Sequence, residues 1–499
     1  MATHSRERLG SVALMLMTFS AVFAFPSIVN NSIQIGLATI PGYLFGSIFY
    51  FLPFILMIAE FVSANSENES GVHSWLESVL GPKWAFLGAW SYFFVNLFFF
   101  CSLLPNTLIY GSYAFLGQNV FQGNHSTKII AVISILLFWL MTWVCIKGVS
   151  WISKVTSLAG GARLFMGVAF VVLAFVVVFG FGNEPAQEFT TTSIMPTFNW
   201  TFFMTMAWIL QAVGGGESIG VYIKDVKGGN KTFVRTMIGA TIAVGIMYIL
   251  GAVAVGLVVP TDVLKGNFSN GIFDIFKILG TYFHIPAAMM VRLVGIILFV
   301  GSLGSLALWT AAPVKVFFSE IPDGVFGKWL VKTNEEGNPT NALLVQGIIV
   351  TILVAIPALG IGNMDSFLET LINMTASTSL VPVLFLLIAY IGLRWRKETM
   401  PRSFRFGNRT FGLIAGIFLL AIFIFVFFMS TVPDPKLIME EINGTLPKGT
   451  ASPLGMLAYN IIGLIVFMGF AWICWKRYET KEKNEVGKGE MDYEDLGKL

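Results

Sequence analysis

The chain has 499 residues, 56% hydrophobic and 12% charged, where soluble domains carry roughly a quarter charged residues. Its apolar residues come in runs of about 20 or more, the length that crosses a hydrocarbon core. A formal net charge of +3 with the basic residues scattered over short loops excludes a nucleic-acid-binding surface.

Backbone groups in lipid must pair within a helix or around a closed barrel, and these runs lack the alternation of barrel strands. The chain therefore reads as an all-α membrane protein. In chain order, apolar runs predict about twelve transmembrane helices, over 9–35, 40–63, 84–117, 128–146, 155–182, 200–223, 233–259, 286–318, 341–359, 366–392, 411–431 and 453–475. The first run is too long for a signal peptide and lacks a small-residue cleavage site, so it is expected to be a membrane helix.

Two of these spans are interrupted. The first holds Phe23, Ala24, Phe25, Pro26 and Ser27 at mid-span, followed by Asn30, Asn31, Ser32 and Gln34. Pro26 cannot donate a helical hydrogen bond, which predicts a break near Ala21 to Phe23 and unwinding over Phe23 to Ser27. The sixth holds Gln211, Val213, Gly214, Gly215, Gly216 and Glu217. Three successive glycines weaken a helix by roughly 1 kcal/mol each relative to alanine, so Val213 to Gly216 is expected to unwind. Spans one and six lie an odd number of spans apart, which reverses their orientation. That is the signature of an inverted repeat, with spans 1–5 (about 9–182) matching spans 6–10 (about 200–392) upside down, helices 411–475 added, and a midplane binding site at the breaks. The alternative is a proline kink and a glycine-lined packing face.

Basic residues mark the sides of the membrane. Lys147 and Lys154, then Lys224, Lys227, Lys231 and Arg235, then Arg394, Arg396, Lys397, Arg402, Arg405 and Arg409 fall in connections on one side, while loops 183–199 and 360–365 contain no Lys or Arg. This asymmetry predicts that both termini are cytoplasmic. Residues 479–499 mix Lys, Glu and Asp with few apolar residues and read as a charged, solvated tail. Cys101, Cys145 and Cys474 show no CxxC spacing and read as packing residues.

Four stretches carry a family resemblance. They are Pro53 to Glu60 followed by Ser70, Gly71, Ser74, Trp75, Gly81 and Pro82; Gly214 to Gly220 with Glu217; Arg292 through Pro313 and Lys315; and Arg402 to Phe406. With the spans, they make the chain resemble the amino acid/polyamine/organocation superfamily, and within it the branch of glutamate/γ-aminobutyrate antiporters and histidine/histamine-type exchangers. The resemblance covers the chain to about residue 478. It implies a LeuT-like 5+5 fold of about twelve helices and secondary transport of an amino acid or related amine, as an exchanger or proton-coupled carrier. The sequence departs from the common pattern at Ala24 and Ser70, where many relatives have glycine, and at His73, where many have tyrosine.

Breaks suit such a cargo. A zwitterion's carboxylate matches free N–H groups near Ala24 to Ser27, and its ammonium matches free C=O groups near Gln211 to Gly215. Glu217, an acid inside a span, is either a gating or proton-linked group or one half of a buried ion pair. Arg163 in span five, where the resemblance places a lysine in sodium-free relatives, either substitutes for a sodium ion or snorkels toward the surface. Arg292 and Lys315 read as interfacial anchors. Glu369 and Asn373 lie one turn apart, and Trp208, Phe203 and Phe25 are candidate aromatic gates. A channel would show a filter or charged ring. A membrane-embedded enzyme would show HExxH spacing or a phosphate loop, and the four histidines at 4, 73, 125 and 284 do not supply it. No cofactor or metal is expected; the partners are a small amine-bearing solute, the bilayer and, for the proton-coupled alternative to exchange, protons.

Overall fold

A computed structural model describes residues 10–65, 71–123, 125–147, 152–219, 226–322, 324–334, 339–447 and 451–496. Ser70, Gly220 and Lys224, singled out above, lie outside these residues. Among the described residues the architecture is helical, without β-strands. Ten helical runs are long and apolar enough to cross a membrane.

Those ten, the first of them counted twice, together with one shorter helix account for the twelve crossings expected from the sequence. The first run, Ser11–Ala64, has 54 residues, or ~80 Å of helix at 1.5 Å per residue, far more than one ~30 Å crossing. It turns back at Gly36, whose φ of +56° ends α2. One crossing is therefore α1 (Ser11–Val22) plus α2 (Phe25–Ile35), and the return is α3 (Thr39–Phe45), a π-helical segment Gly46–Phe51 and α4 (Leu52–Ala64). The sixth crossing falls short by length alone, because α10 (Trp200–Val213) has only 14 residues before the glycines end it.

The remaining crossings lie within a few residues of their expected positions. They are α6 (Pro82–Leu116), α7 (Ser126–Ile146), α8 (Ile152–Phe175, continued by a π turn at Val176–Gly180), α11 (Gly229–Val258), α14 (Ala287–Glu320), α15 (Thr340–Gly360), α16 (Met364–Arg396), α17 (Arg409–Thr431) and α19 (Pro453–Leu496). Short helices fill the loops: α5 (Val72–Leu80), α9 (Thr191–Ile194), α12 (Thr261–Leu264), α13 (Gly271–Tyr282) and α18 (Pro435–Ile442). The hydrophobic pattern of the long spans does not report these, because each is too short to cross the membrane. Residues 479–496 continue α19 as helix.

Packing follows from small residues and buried polar ties. Gly295 of α14 lies so close to α6 that a Cβ there would stand 2.6 Å from the Ala114 amide nitrogen, the close approach that small residues allow between membrane helices. α14 also packs on α8, α16 packs on α6 and α17, and α11 packs on α1. On the side of the basic connections, Glu60 of α4 is fully buried and pairs with Arg394 at 2.8 Å and Arg402 at 2.9 Å. Tyr390 and the Phe406 amide donate to its Oε2 at 3.0 Å each. Two of the stretches that carry the family resemblance thus meet in one ion cluster. A buried carboxylate is tolerated when its charge is paired and its lone pairs are filled.

Candidate functional site

The two breaks are shorter than expected. In the first, only Phe23 (φ −74°, ψ 117°) and Ala24 (φ −131°, ψ 101°) are extended. Phe25, Pro26 and Ser27 already form the first turn of α2. Proline at the second helical position begins a helix as readily as it ends one, because its missing N–H is an orphan there anyway and its φ is preset. In the second break α10 includes Val213; Gly214 is extended (φ −79°, ψ −176°) and Gly215 takes φ +93°. A short 3₁₀ turn over 216–219 follows, carrying Glu217. Gly215 alone requires the left-handed region, so one glycine makes the break and its neighbours loosen it.

Three half-helix ends converge on Tyr248 of α11. Its hydroxyl accepts from the Ala24 N–H at 3.0 Å and lies 2.7 Å from the Val22 carbonyl and 2.7 Å from the Ala212 carbonyl. A phenol has one hydrogen, so it donates to one of these carbonyls at a time. The ring is fully buried, stacked on Tyr43 at 4.7 Å and against Phe23 at 5.3 Å. Tyr43 in turn accepts from Asn31 of α2 at 2.8 Å. Two helix C-termini, both partially negative, and one helix N-terminus, partially positive, are thereby brought to a single point.

The amides of the first break are largely committed. Pro26 has no N–H, the Ser27 N–H bonds the Ala24 carbonyl at 3.0 Å, and that of Ala24 bonds Tyr248. Among residues 24–27 only the Phe25 N–H has no partner within the described residues. At the second break, the Gly214 N–H closes on the Gln211 carbonyl at 3.1 Å, and the Ser218 N–H and hydroxyl reach the Gly215 carbonyl at 3.2 and 2.7 Å.

Glu217 is buried and accepts from the Tyr92 hydroxyl of α6 at 3.2 Å, while its Oε2 is buried without a hydrogen-bond partner. No basic residue pairs with it among the described residues. Arg163 points into the bundle rather than toward the surface. It donates to Ser305 at 3.0 Å, Ser302 at 2.8 Å and the Leu298 carbonyl at 3.3 Å, all on α14. Gly301 makes that socket, since a Cβ there would overlap the guanidinium.

Trp208 is buried and donates to Asn373 at 3.0 Å, and Asn373 donates to the Ser430 carbonyl at 2.9 Å, tying α10 to α16 and α17. Glu369 accepts from Gln34 at 2.9 Å, tying α16 to α2. Phe25 lies against Phe170 and Phe276, with ring centroids 4.8 and 5.8 Å away. Phe203 packs on Phe425 of α17. Arg292 is exposed on the second turn of α14 beside Gly117, as an anchor would be. Cys101 donates to the Leu97 carbonyl of its own helix.

Sequence reading passed over Tyr248, Tyr43 and Tyr92. The signal was present: a tyrosine inside a membrane span must find a partner for its hydroxyl, and these three do so between helices.

A family model described as amino acid permease matches residues 9–467. The aspartate/glutamate permease AcaP of Lactococcus lactis subsp. cremoris is 27% identical over 405 residues, covering 80% of this chain and 83% of that protein. The glutamate/gamma-aminobutyrate antiporter of Lactococcus lactis subsp. lactis is 24% identical over 487 residues, covering 95% and 90%. The inner membrane transporter YjeM of Escherichia coli K12 is 23% identical over 418 residues, covering 79% and 84%.

Proposed function

The chain belongs to the amino acid permease family, a multi-pass membrane carrier and not an enzyme, and from that premise we propose that it exchanges amino acids, with protons as a coupling ion, at the two helix breaks. The observation that carries the reading is the meeting of three half-helix ends at the Tyr248 hydroxyl. That hydroxyl accepts one N–H and donates to one carbonyl. A zwitterionic amino acid offers the same complements, a carboxylate for N–H groups and an ammonium for C=O groups. The phenol therefore holds the ends together while the carrier is empty, and substrate takes over those partners on arrival.

In this reading Phe23, Ala24, Phe25 and Ser27 form the carboxylate side, with the unpartnered Phe25 N–H as the first donor available. Gln211, Val213, Gly214, Gly215 and Gly216 form the ammonium side. Trp208 closes over the site through its bond to Asn373. Glu217 is the proton-linked group, its free Oε2 being the place where a proton resides. Arg163 fills the volume that a sodium ion would need. The termini lie in the cytoplasm, as the basic loops argue, and spans 1–5 and 6–10 form an inverted repeat with residues 479–499 outside it.

The relatives' names direct the first substrates to try, acidic amino acids and γ-aminobutyrate. The test is counterflow of a labelled amino-acid panel in proteoliposomes, with and without a pH gradient. Exchange that requires an amino acid on both faces and speeds up in an imposed proton gradient supports the reading. Uptake into vesicles with no internal amino acid, at an unchanged rate, overturns exchange.

A further inference from the structure

The C-terminal span is set apart from the rest of the bundle. Only 11% of its apolar window is buried, against 72% for α6. One face of α19 holds to the protein: Ala471 and Trp475 are buried, and Trp475 stacks on Phe86 of α6 at 5.4 Å. The opposite face is open from end to end. At helical spacing it runs through Ile462, Ile465, Val466 and Ile473, all more than half exposed, with Gly469 bordered by empty space. It then turns basic one turn beyond Ile473.

At that change a shallow, open groove along α19 is lined by Trp472, Ile473, Lys476, Arg477, Thr480 and Lys481. Lys83, from the first turn of α6, stands 3.5 Å above the Trp472 ring, and Lys476 lies 5.8 Å from the same ring. The indole gathers two ammonium groups from different helices beside one guanidinium. Glu479, beside the groove, is paired with Lys476 at 3.1 Å, and an ammonium has three donors.

We propose that this groove binds the phosphate of an anionic phospholipid whose acyl chains lie along the Ile462–Ile473 face. The order of chemistry along the helix, apolar track, then indole, then cations, is that of a lipid read from tail to headgroup. Tryptophan and lysine at this depth are the usual residues of the membrane interface, and clustered cations just beyond a span attract anionic headgroups. A second copy of the chain fits less well. A two-fold dimer through this face would set Lys476, Arg477 and Lys481 against their own copies, and like charges in contact oppose association.

The test uses the full chain in nanodiscs made from phosphatidylcholine with a minority of phosphatidylglycerol, and native mass spectrometry of the lipids it retains. The parent protein keeps phosphatidylglycerol several-fold above its bulk ratio, and added salt lowers that enrichment. The exposed triple variant Lys476→Gln/Arg477→Gln/Lys481→Gln returns to the bulk ratio, while its exchange activity in phosphatidylcholine vesicles, which reports folding, is unchanged. Lys83→Gln, on another helix, lowers the enrichment in the same direction. Equal enrichment in parent and variants overturns the proposal. So does stabilisation of the parent by inorganic phosphate in phosphatidylcholine discs to the extent that phosphatidylglycerol gives, which would mark a generic anion site. Cross-linking of two copies through Ile465→Cys within one disc would assign the face to a dimer instead.

Discussion

Replacing Tyr248 by phenylalanine removes one oxygen and keeps the ring, so the stack on Tyr43 and the contact with Phe23 persist. What is lost is the partner of the Ala24 N–H and, at any instant, of one of the two carbonyls at Val22 and Ala212. A buried backbone group left without a partner costs about 1–3 kcal/mol. Two such groups, partly relieved by relaxation, shift the balance by about 2–4 kcal/mol against the arrangement in which the half-helix ends meet. At 1.4 kcal/mol per factor of ten that is roughly 30- to 1,000-fold in the population of the closed state. Ser27→Cys, in the first turn of α2, reports the opening through its rate of labelling by a membrane-impermeant thiol reagent. In the Tyr248→Phe background that rate rises by at least one order of magnitude, and saturating substrate no longer changes it as much. Exchange kinetics in proteoliposomes show an altered apparent KM. If labelling, KM and unfolding temperature all match those of the parent, the hydroxyl is not a clasp and the proposed site loses its centre.

Glu217→Gln keeps the shape and the bond from Tyr92 but removes the titration; the pH dependence of exchange flattens, and an unchanged profile in the mutant would make Glu217 a structural acid. Exchange proceeds at the same rate when sodium is replaced by choline at constant pH and potential, because Arg163 occupies its socket on α14; loss of transport in choline would sink that assignment. Arg402→Ala leaves Glu60 facing one cation in place of two in a fully buried cluster, and the unfolding temperature in detergent falls by an amount that corresponds to about 3–5 kcal/mol. A variant as stable as the parent would show that water reaches Glu60.

The legible part of this protein was the part written in runs and punctuation. Span lengths obey the thickness of the hydrocarbon core, so hydropathy alone located the crossings, and the glycines at 214–216 and the proline at 26 marked the two spans that stop midway. Even there, local rules misjudged extent: Pro26 starts α2 instead of extending the gap, because the same missing N–H that ends one helix suits the opening of another. Loop helices such as α13 were invisible, since a twelve-residue amphipathic segment carries no signal comparable to a span.

By itself, then, the sequence determined an all-α membrane fold, its crossings, its family likeness and the two broken helices, because each depends on composition over a window of neighbouring residues. Only the tertiary structure decided what closes the breaks and what faces each buried charge. Tyr248 is 224 residues from Ala24, Asn373 is 165 from Trp208, and the guanidinium of Arg163 finds its serines 139 and 142 residues away. A polar group inside lipid must be satisfied by whichever helix packs beside it. Which helix that is follows from the packing of the whole bundle, and no local pattern records it.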